Sequence, residues 1–194
     1  STAAATKRAE DYVHLTPEQH VLHRPDTYVG GVETVVGPVW VHDGTTYRQD
    51  PAAPHNPGLL KTVDEVVANV VDQAELTGKV RGMDVTVTPA EIVVRNTGSC
   101  VPVERHPETR LWAPTMAFFK MNTSENYDDG TGPRFVGGRN GVGAKATMIF
   151  STACTVTVVD ASRRKRFVQS GRNNLTVLDD PEVESKLPAG QTAS

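Results

Sequence analysis

The chain lacks the features that would commit it to a membrane or to an oxidising compartment. No apolar run in its 194 residues approaches the roughly 20 residues that a bilayer-spanning helix requires, and no leader of the signal-peptide kind is visible. Cysteine is scarce: Cys100 and Cys154 allow at most one disulfide and point to a reducing compartment. Positive charge is not in excess. With 20 Lys+Arg against 23 Asp+Glu the net charge is −3, so no overall field draws the chain to DNA or to an anionic membrane. Internal repeats are absent. What remains is a soluble, intracellular domain, because 38% hydrophobic and 22% charged residues suffice for one compact core and argue against disorder.

The most informative stretch that is present is 137–145, GGRNGVGAK, followed by an apolar run to Phe150. Gly141 and Gly143 remove side-chain bulk where backbone N–H groups must approach something closely. The run from Ala144 to Phe150 reads as a helix, so these amides sit at a helix N-terminus, where unpaired donors and the helix dipole attract anions. Arg139 and Lys145 add mobile positive charge, and the segment reads as a triphosphate cradle. It is not a P-loop: Ala144 stands where that motif has glycine before its lysine, and Thr147 falls one residue beyond the Ser/Thr position.

Elsewhere the pattern predicts a helix from Pro17 to Arg24 with Thr16 as N-cap, a turn over 25–31, and a strand at Val35–His42 closed by Asp43-Gly44. Residues 45–57 read as a proline-rich loop. The strongest helix covers 58–77, with Leu59, Leu60, Val63, Val66, Val67, Val70, Val71 and Ala74 on one face and Gly78 as its stop. A hairpin over Met83–Thr88 and Glu91–Arg95, a helix from Pro114 to Lys120, a second hairpin over Thr155–Asp160 and Arg166–Ser170, and a further strand at Leu175–Leu178 complete the reading. Together these predict an α+β two-layer sandwich. The basic run Arg163–Arg166 reads as a solvated hairpin turn, Trp40 and Trp112 as packing residues, and the six histidines show no metal-ligand grouping beyond His20 and His23.

Within the 58–77 helix, Glu65, Asn69 and Asp72 are spaced i, i+4 and i+7 and share a stripe roughly opposite the apolar face. The plain reading is the wet side of an amphipathic helix. Two details oppose it: asparagine gives up helix propensity, and no basic residue interleaves with the stripe apart from Lys61 at its edge. A carboxylate beside a carboxamide holds a water and a divalent ion at once.

Several separated segments together resemble the GHKL ATPases, and more narrowly the N-terminal ATPase region of type II DNA topoisomerases of the eukaryotic and large-virus kind. They are RPDTYVGG at 24–31, PGLLKTVDEVVANVVDQ at 57–73, RNTGSCVP at 95–102, NTSENYDDG at 122–130 and GGRNGVGAKATMIFST at 137–152. The resemblance implies the GHKL (Bergerat) fold, with a mixed, mostly antiparallel sheet. It implies an N-terminal arm over 1–15, an ATP-binding domain over 16–180, and a tail over 181–194 that stops short of the transducer. ATP and Mg²⁺ are the implied ligands.

Residue by residue, Glu65 matches the general base that orients water, and Asn69 the Mg²⁺ ligand. Asn96, with Gly98 after it, matches the contact to the adenine edge, and Asp72 lines the pocket. Ser124 and Asn126 match contacts to ribose and phosphate. Gly138, Arg139, Asn140, Gly141, Val142, Gly143, Ala144 and Lys145 match the phosphate-binding lid. Tyr12 aligns with a residue that reaches the partner subunit's nucleotide. The resemblance further implies homodimerisation in the presence of ATP, DNA as substrate of the full-length enzyme, no membrane partner, and a place in the nucleus or, for a virus, in the host-cell viral factory or virion.

Two departures are expected to lower nucleotide affinity: Cys100 replaces a usual glycine, and Glu125 stands where a second serine is usual beside the phosphates. The isolated region is expected to turn ATP over weakly, because the lysine that the transducer supplies lies beyond it. Competing outputs of the same fold are a chaperone, a mismatch-repair clamp, a histidine kinase, or a nucleotide-responsive dimerisation clamp without efficient hydrolysis. RPDTYVGG and TSENYDDG oppose the first three, and intact Glu65 and Asn69 oppose the last.

Overall fold

The computed structural model describes residues 8, 12–121 and 142–188. Helix α1 (Pro17–His23) starts where the sequence places it: the Thr16 hydroxyl accepts from the Gln19 N–H at 3.2 Å, and the Gln19 side chain accepts from the Thr16 N–H at 2.9 Å. This reciprocal capping box satisfies two donors that a helix start leaves without partners. The segment expected as a turn contains a single-turn helix, α2 (Pro25–Tyr28), again opened by proline.

Strand β1 (Val35–His42) pairs antiparallel with β2 (Tyr47–His55) around Asp43-Gly44. The sequence reading of 45–57 as a loop is corrected here. Pro51 and Pro54 lie inside β2, and the register shifts at Pro38 in β1. In a two-stranded hairpin each strand keeps an outward edge, so a residue without an N–H is accommodated there and at the irregularity. Trp40 is 69% exposed on this hairpin, so it is not the packing residue expected.

Helix α3 (Pro57–Thr77) is fixed at both ends: the Asn56 side chain accepts from the Leu59 N–H at 2.9 Å, and Gly78 takes the left-handed conformation, φ 61°. Its buried positions are Gly58 and Thr62. The apolar stripe is only partly covered: Leu59, Leu60 and Val71 are exposed, and the neighbouring valines are half-buried. The reason is in the packing. Helix α5 (Gly143–Ile149) lies against the small, polar side of α3, where the Thr147 hydroxyl donates to the Thr62 carbonyl at 2.9 Å.

Strands β3 (Gly82–Val87) and β4 (Ile92–Thr97) form the expected hairpin. Helix α4 (Ala113–Phe119) precedes α5. In the last sheet β5 (Ala153–Asp160) pairs with the central β6 (Lys165–Arg172), whose other edge takes β7 (Val177–Leu178) and β8 (Glu182–Ser185). Strand β8 lies in a stretch where the sequence shows no element. Every strand pairing among the described residues is antiparallel. Two apolar clusters form the core. One joins Val103, Phe119, Val156, Val158 and Phe167; the other joins Val21, Val29, Ala146 and Ile149, and so seats α5 on α1.

Asp160 ties the loop after β4 to the β5–β6 turn. Its side chain is almost fully buried and accepts from the Val103 N–H at 3.0 Å, the Ser162 hydroxyl at 2.6 Å, and the Arg163 N–H and guanidinium at 3.0 and 3.1 Å. Burial pushes its pKa up, but these donors outweigh burial and hold it at about 2. Because the folded value lies below the unfolded one, this stabilisation is present above about pH 4 and is lost as pH falls through about 2. Asp160→Ala is expected to cost about 2–4 kcal/mol, since it leaves the Val103 N–H buried without its partner. Urea unfolding at pH 7 measures it, and a cost below about 0.5 kcal/mol contradicts the anchor.

Of the basic run, Arg163 and Arg164 lie in the β5–β6 turn while Lys165 and Arg166 open β6, and none of the four is simply solvated. Arg163 pairs with Glu104 and Asp160, Arg164 donates to the Leu187 carbonyl, Lys165 to the Val103 carbonyl, and Arg166 pairs with Glu184.

Candidate functional site

Three elements converge. Helix α3 contributes Glu65, Asn69, Asp72 and Gln73; the end of β4 contributes Asn96 and the loop through Gly98 and Ser99; the start of α5 contributes Gly143 and Lys145.

Glu65 is mostly withdrawn from water, its side chain 22% exposed. One carboxylate oxygen, Oε1, lies 2.6 Å from the Lys61 Nζ. The other, Oε2, sits directly over Gly143, where any Cβ would overlap it. A side chain at 143 would therefore displace the Glu65 carboxylate, a constraint of close approach rather than of backbone conformation. The ammonium of Lys61 also reaches Asp64 at 3.3 Å, and its pKa is raised, chiefly by the hydrogen bond to Glu65.

Asn69 is exposed, one helical turn further on. Its Nδ2 donates to the Glu65 carbonyl at 2.6 Å, so Oδ1 is the end of the carboxamide that the helix does not use. This also answers the propensity cost of asparagine inside a helix: the side chain bonds back to its own turn. Asp72 is half-buried on the same helix. Gln73 donates to the Ser99 hydroxyl at 3.0 Å, and Asn96 Nδ2 donates to the Ser99 carbonyl at 3.0 Å. Ser99 thus links α3 to the end of β4 and fixes which end of the Asn96 carboxamide is already engaged. Gly98 has φ +107°, and a side chain there would collide with the Lys79 carbonyl. Cys100 is exposed.

Lys145 differs from the sequence reading. It is 2% exposed, in the first turn of α5, and so is not mobile. Burial lowers its pKa to about 8. Val142 and Ala144 are half-buried beside it. Tyr12 is exposed. Ser124, Glu125, Asn126, Gly138, Arg139, Asn140 and Gly141 lie outside the described residues. An open cleft of about 500 Å³ is lined by His55, Pro57, Leu60, Lys61 and Asp64, and of the site's described residues only Lys61 reaches it.

The structure therefore brings Glu65 against Gly143 and puts Asn96 across Ser99 from Gln73. Sequence reasoning passed over Lys61 as an edge residue, although its i, i+4 spacing to Glu65 marks it as a neighbour. The Ser99 link spans 26 residues to Gln73 and has no sequence signal.

No protein-family model matches the chain. Among solved structures, the ATPase domain of Thermus thermophilus gyrase B aligns with a TM-score of 0.60 at 20% identity, over 90% of this chain and 36% of that one. That identity speaks to fold alone, and the fold is that of the GHKL ATPases. The ATPase region of Saccharomyces cerevisiae topoisomerase II aligns much more closely, with a TM-score of 0.88 at 33% identity over 95% of this chain and 49% of that one. The DNA topoisomerase 2 of Candida glabrata is 37% identical over 180 residues. The chain belongs to the family of type II DNA topoisomerase ATPase regions. That match takes in 91% of the chain but 13% of the relative's length.

Proposed function

We propose that the chain binds and hydrolyses ATP as the nucleotide-driven region of a type II DNA topoisomerase. The observation that carries this reading is the Glu65 carboxylate held between Lys61 and Gly143, at the start of the helix that follows the glycine-rich segment.

Phosphoryl transfer to water passes through a loose transition state, so it asks for positioning, charge neutralisation and an oriented nucleophile more than for covalent participation. Glu65 is the group that orients the water and takes its proton. Lys145, buried at the start of α5, brings its charge to the polyphosphate. The Asn96 carboxamide, with Nδ2 engaged by Ser99, presents Oδ1 as an acceptor suited to the exocyclic amino group of adenine. Asp72 and Gly98 belong to the pocket around the base.

The residues present fit Mg²⁺. Asn69 offers one neutral oxygen on an exposed side chain, and Mg²⁺ commonly takes few protein ligands and completes its shell with water and substrate phosphates. When bound, the ion neutralises charge on the triphosphate. Ser124, Asn126 and the Gly138–Lys145 lid complete the site in this reading, and Glu125, with Cys100, lowers its affinity.

At the level of the whole protein, nucleotide-driven homodimerisation, with Tyr12 reaching the partner's nucleotide, gates passage of one DNA duplex through another. Its place is the nucleus, or a viral factory if the source is a large DNA virus. Relaxation of supercoiled DNA by the full-length protein tests the assignment: it is expected to require ATP, and relaxation indifferent to ATP contradicts it.

Lys145→Met is expected to weaken binding of a nonhydrolysable ATP analogue at least about tenfold at pH 7, through loss of a desolvated charge–charge contact. In the unsubstituted protein the affinity is expected to hold through neutral pH and to fall as pH rises past about 8, where the ammonium deprotonates. Calorimetry from pH 6.5 to 9 reads both, and a flat profile together with wild-type affinity in Lys145→Met removes the role.

A further inference from the structure

We propose that Lys61 is a positioning residue for the Glu65 carboxylate, an inference that rests on Glu65 being the base. The two residues stand one helical turn apart on α3, with the Lys61 Nζ 2.6 Å from Oε1 of Glu65. Gly143 closes the other side, beneath Oε2. The carboxylate thus has one oxygen on a cation and the other turned to the start of α5. An unrestrained glutamate samples several rotamers, whereas this one has Oε1 on an ammonium and Oε2 packed against Gly143.

An exposed i, i+4 ion pair is ordinarily a minor ornament of a helix surface. Three observations set this pair apart. Glu65 is only 22% exposed, half the exposure of Lys61 at 44%. The lysine precedes the glutamate, which is the less favourable order for helix stability, so support of the helix does not account for the contact. The ammonium also bonds Asp64 at 3.3 Å, and swinging away from Glu65 forfeits both partners. Lys61 acts on the reaction through Glu65: it fixes which oxygen faces the phosphate end of the site.

The test compares Lys61→Met, Lys61→Gln and Lys61→Arg in the full-length protein, by steady-state ATP hydrolysis and by binding of a nonhydrolysable ATP analogue. Misplacing a base by a fraction of a bond length is expected to lower kcat about 10- to 100-fold in the Met and Gln variants. KM and the analogue's Kd should stay within about twofold, because the ground state does not use the contact. Lys61→Arg should restore kcat to within about threefold of wild type, since a guanidinium also pairs with a carboxylate. A kcat within about twofold of wild type in Lys61→Met, a loss carried by KM instead, or no restoration by arginine overturns the proposal. Lys61 is 44% exposed, so its truncation opens no buried hole, and thermal unfolding of each variant checks this. Glu65→Gln run alongside separates the two levels. If that variant hydrolyses ATP normally, the assignment of Glu65 fails; if it is inactive while Lys61→Met is fully active, only the positioning role fails.

Discussion

Glu65→Gln is expected to lower kcat for ATP hydrolysis by about 10²- to 10⁴-fold, the range that a positioned general base contributes. Binding of a nonhydrolysable ATP analogue should change little. Glutamine keeps the length and the outer oxygen of the side chain but cannot accept the proton of the attacking water. It also ends the ion pair with Lys61, so the residual rate reports the remaining groups of the site acting on a water that nothing deprotonates. The variant should support nucleotide-driven closure without release, which makes dimer crosslinking in ATP a second readout: it should persist in Glu65→Gln and decay in the wild type. Hydrolysis within about threefold of wild type would falsify the role of Glu65.

Gly143→Ala is the second large effect expected. The new methyl would occupy the space of the Glu65 Oε2 atom, a contact that no rotamer of alanine relieves. Either the carboxylate swings away from α5 or α5 shifts on α3, and the Thr147–Thr62 hydrogen bond resists the second. Displacing the carboxylate is expected to reduce kcat at least about 100-fold. Where α5 gives way instead, overpacking at the helix–helix contact is expected to cost about 1–3 kcal/mol of stability. The two losses are separable, because Gly143→Ala combined with Glu65→Ala removes the clash and should recover stability without recovering hydrolysis. Non-additivity of this kind is the mark of direct contact. A stable and active Gly143→Ala protein would show that the start of α5 does not lie where the carboxylate is.

Much of the fold was legible where local chemistry fixes it. Thr16-Pro17 specifies the start of α1, Gly78 stops α3, and the β3–β4 turn is written in Pro89-Ala90. The misses share a cause: position in the fold overrides the local signal. Prolines read as breakers until the outward edge of β2 accommodates them. The apolar stripe of α3 predicts burial that the packing of α5 on its other side does not deliver. Strand β8 exists because β6 offers it an edge. The site follows the same division. Glu65, Asn69 and the glycine-rich segment were readable as spaced motifs, and the structure brings Glu65 to Gly143 across 78 residues (143 − 65). The burial of Lys145 and the Ser99 link were not readable, because both depend on elements distant in sequence meeting in space.

The central claim is that one nucleotide site lies between α3 and the start of α5. A crystal structure of this region with Mg²⁺ and a nonhydrolysable ATP analogue tests it most directly. The account predicts the terminal phosphate between Glu65 and Gly143, the ion on Asn69 Oδ1, and the base amino group on Asn96. An analogue bound elsewhere, with Glu65 still folded onto an undisturbed Gly143, contradicts it.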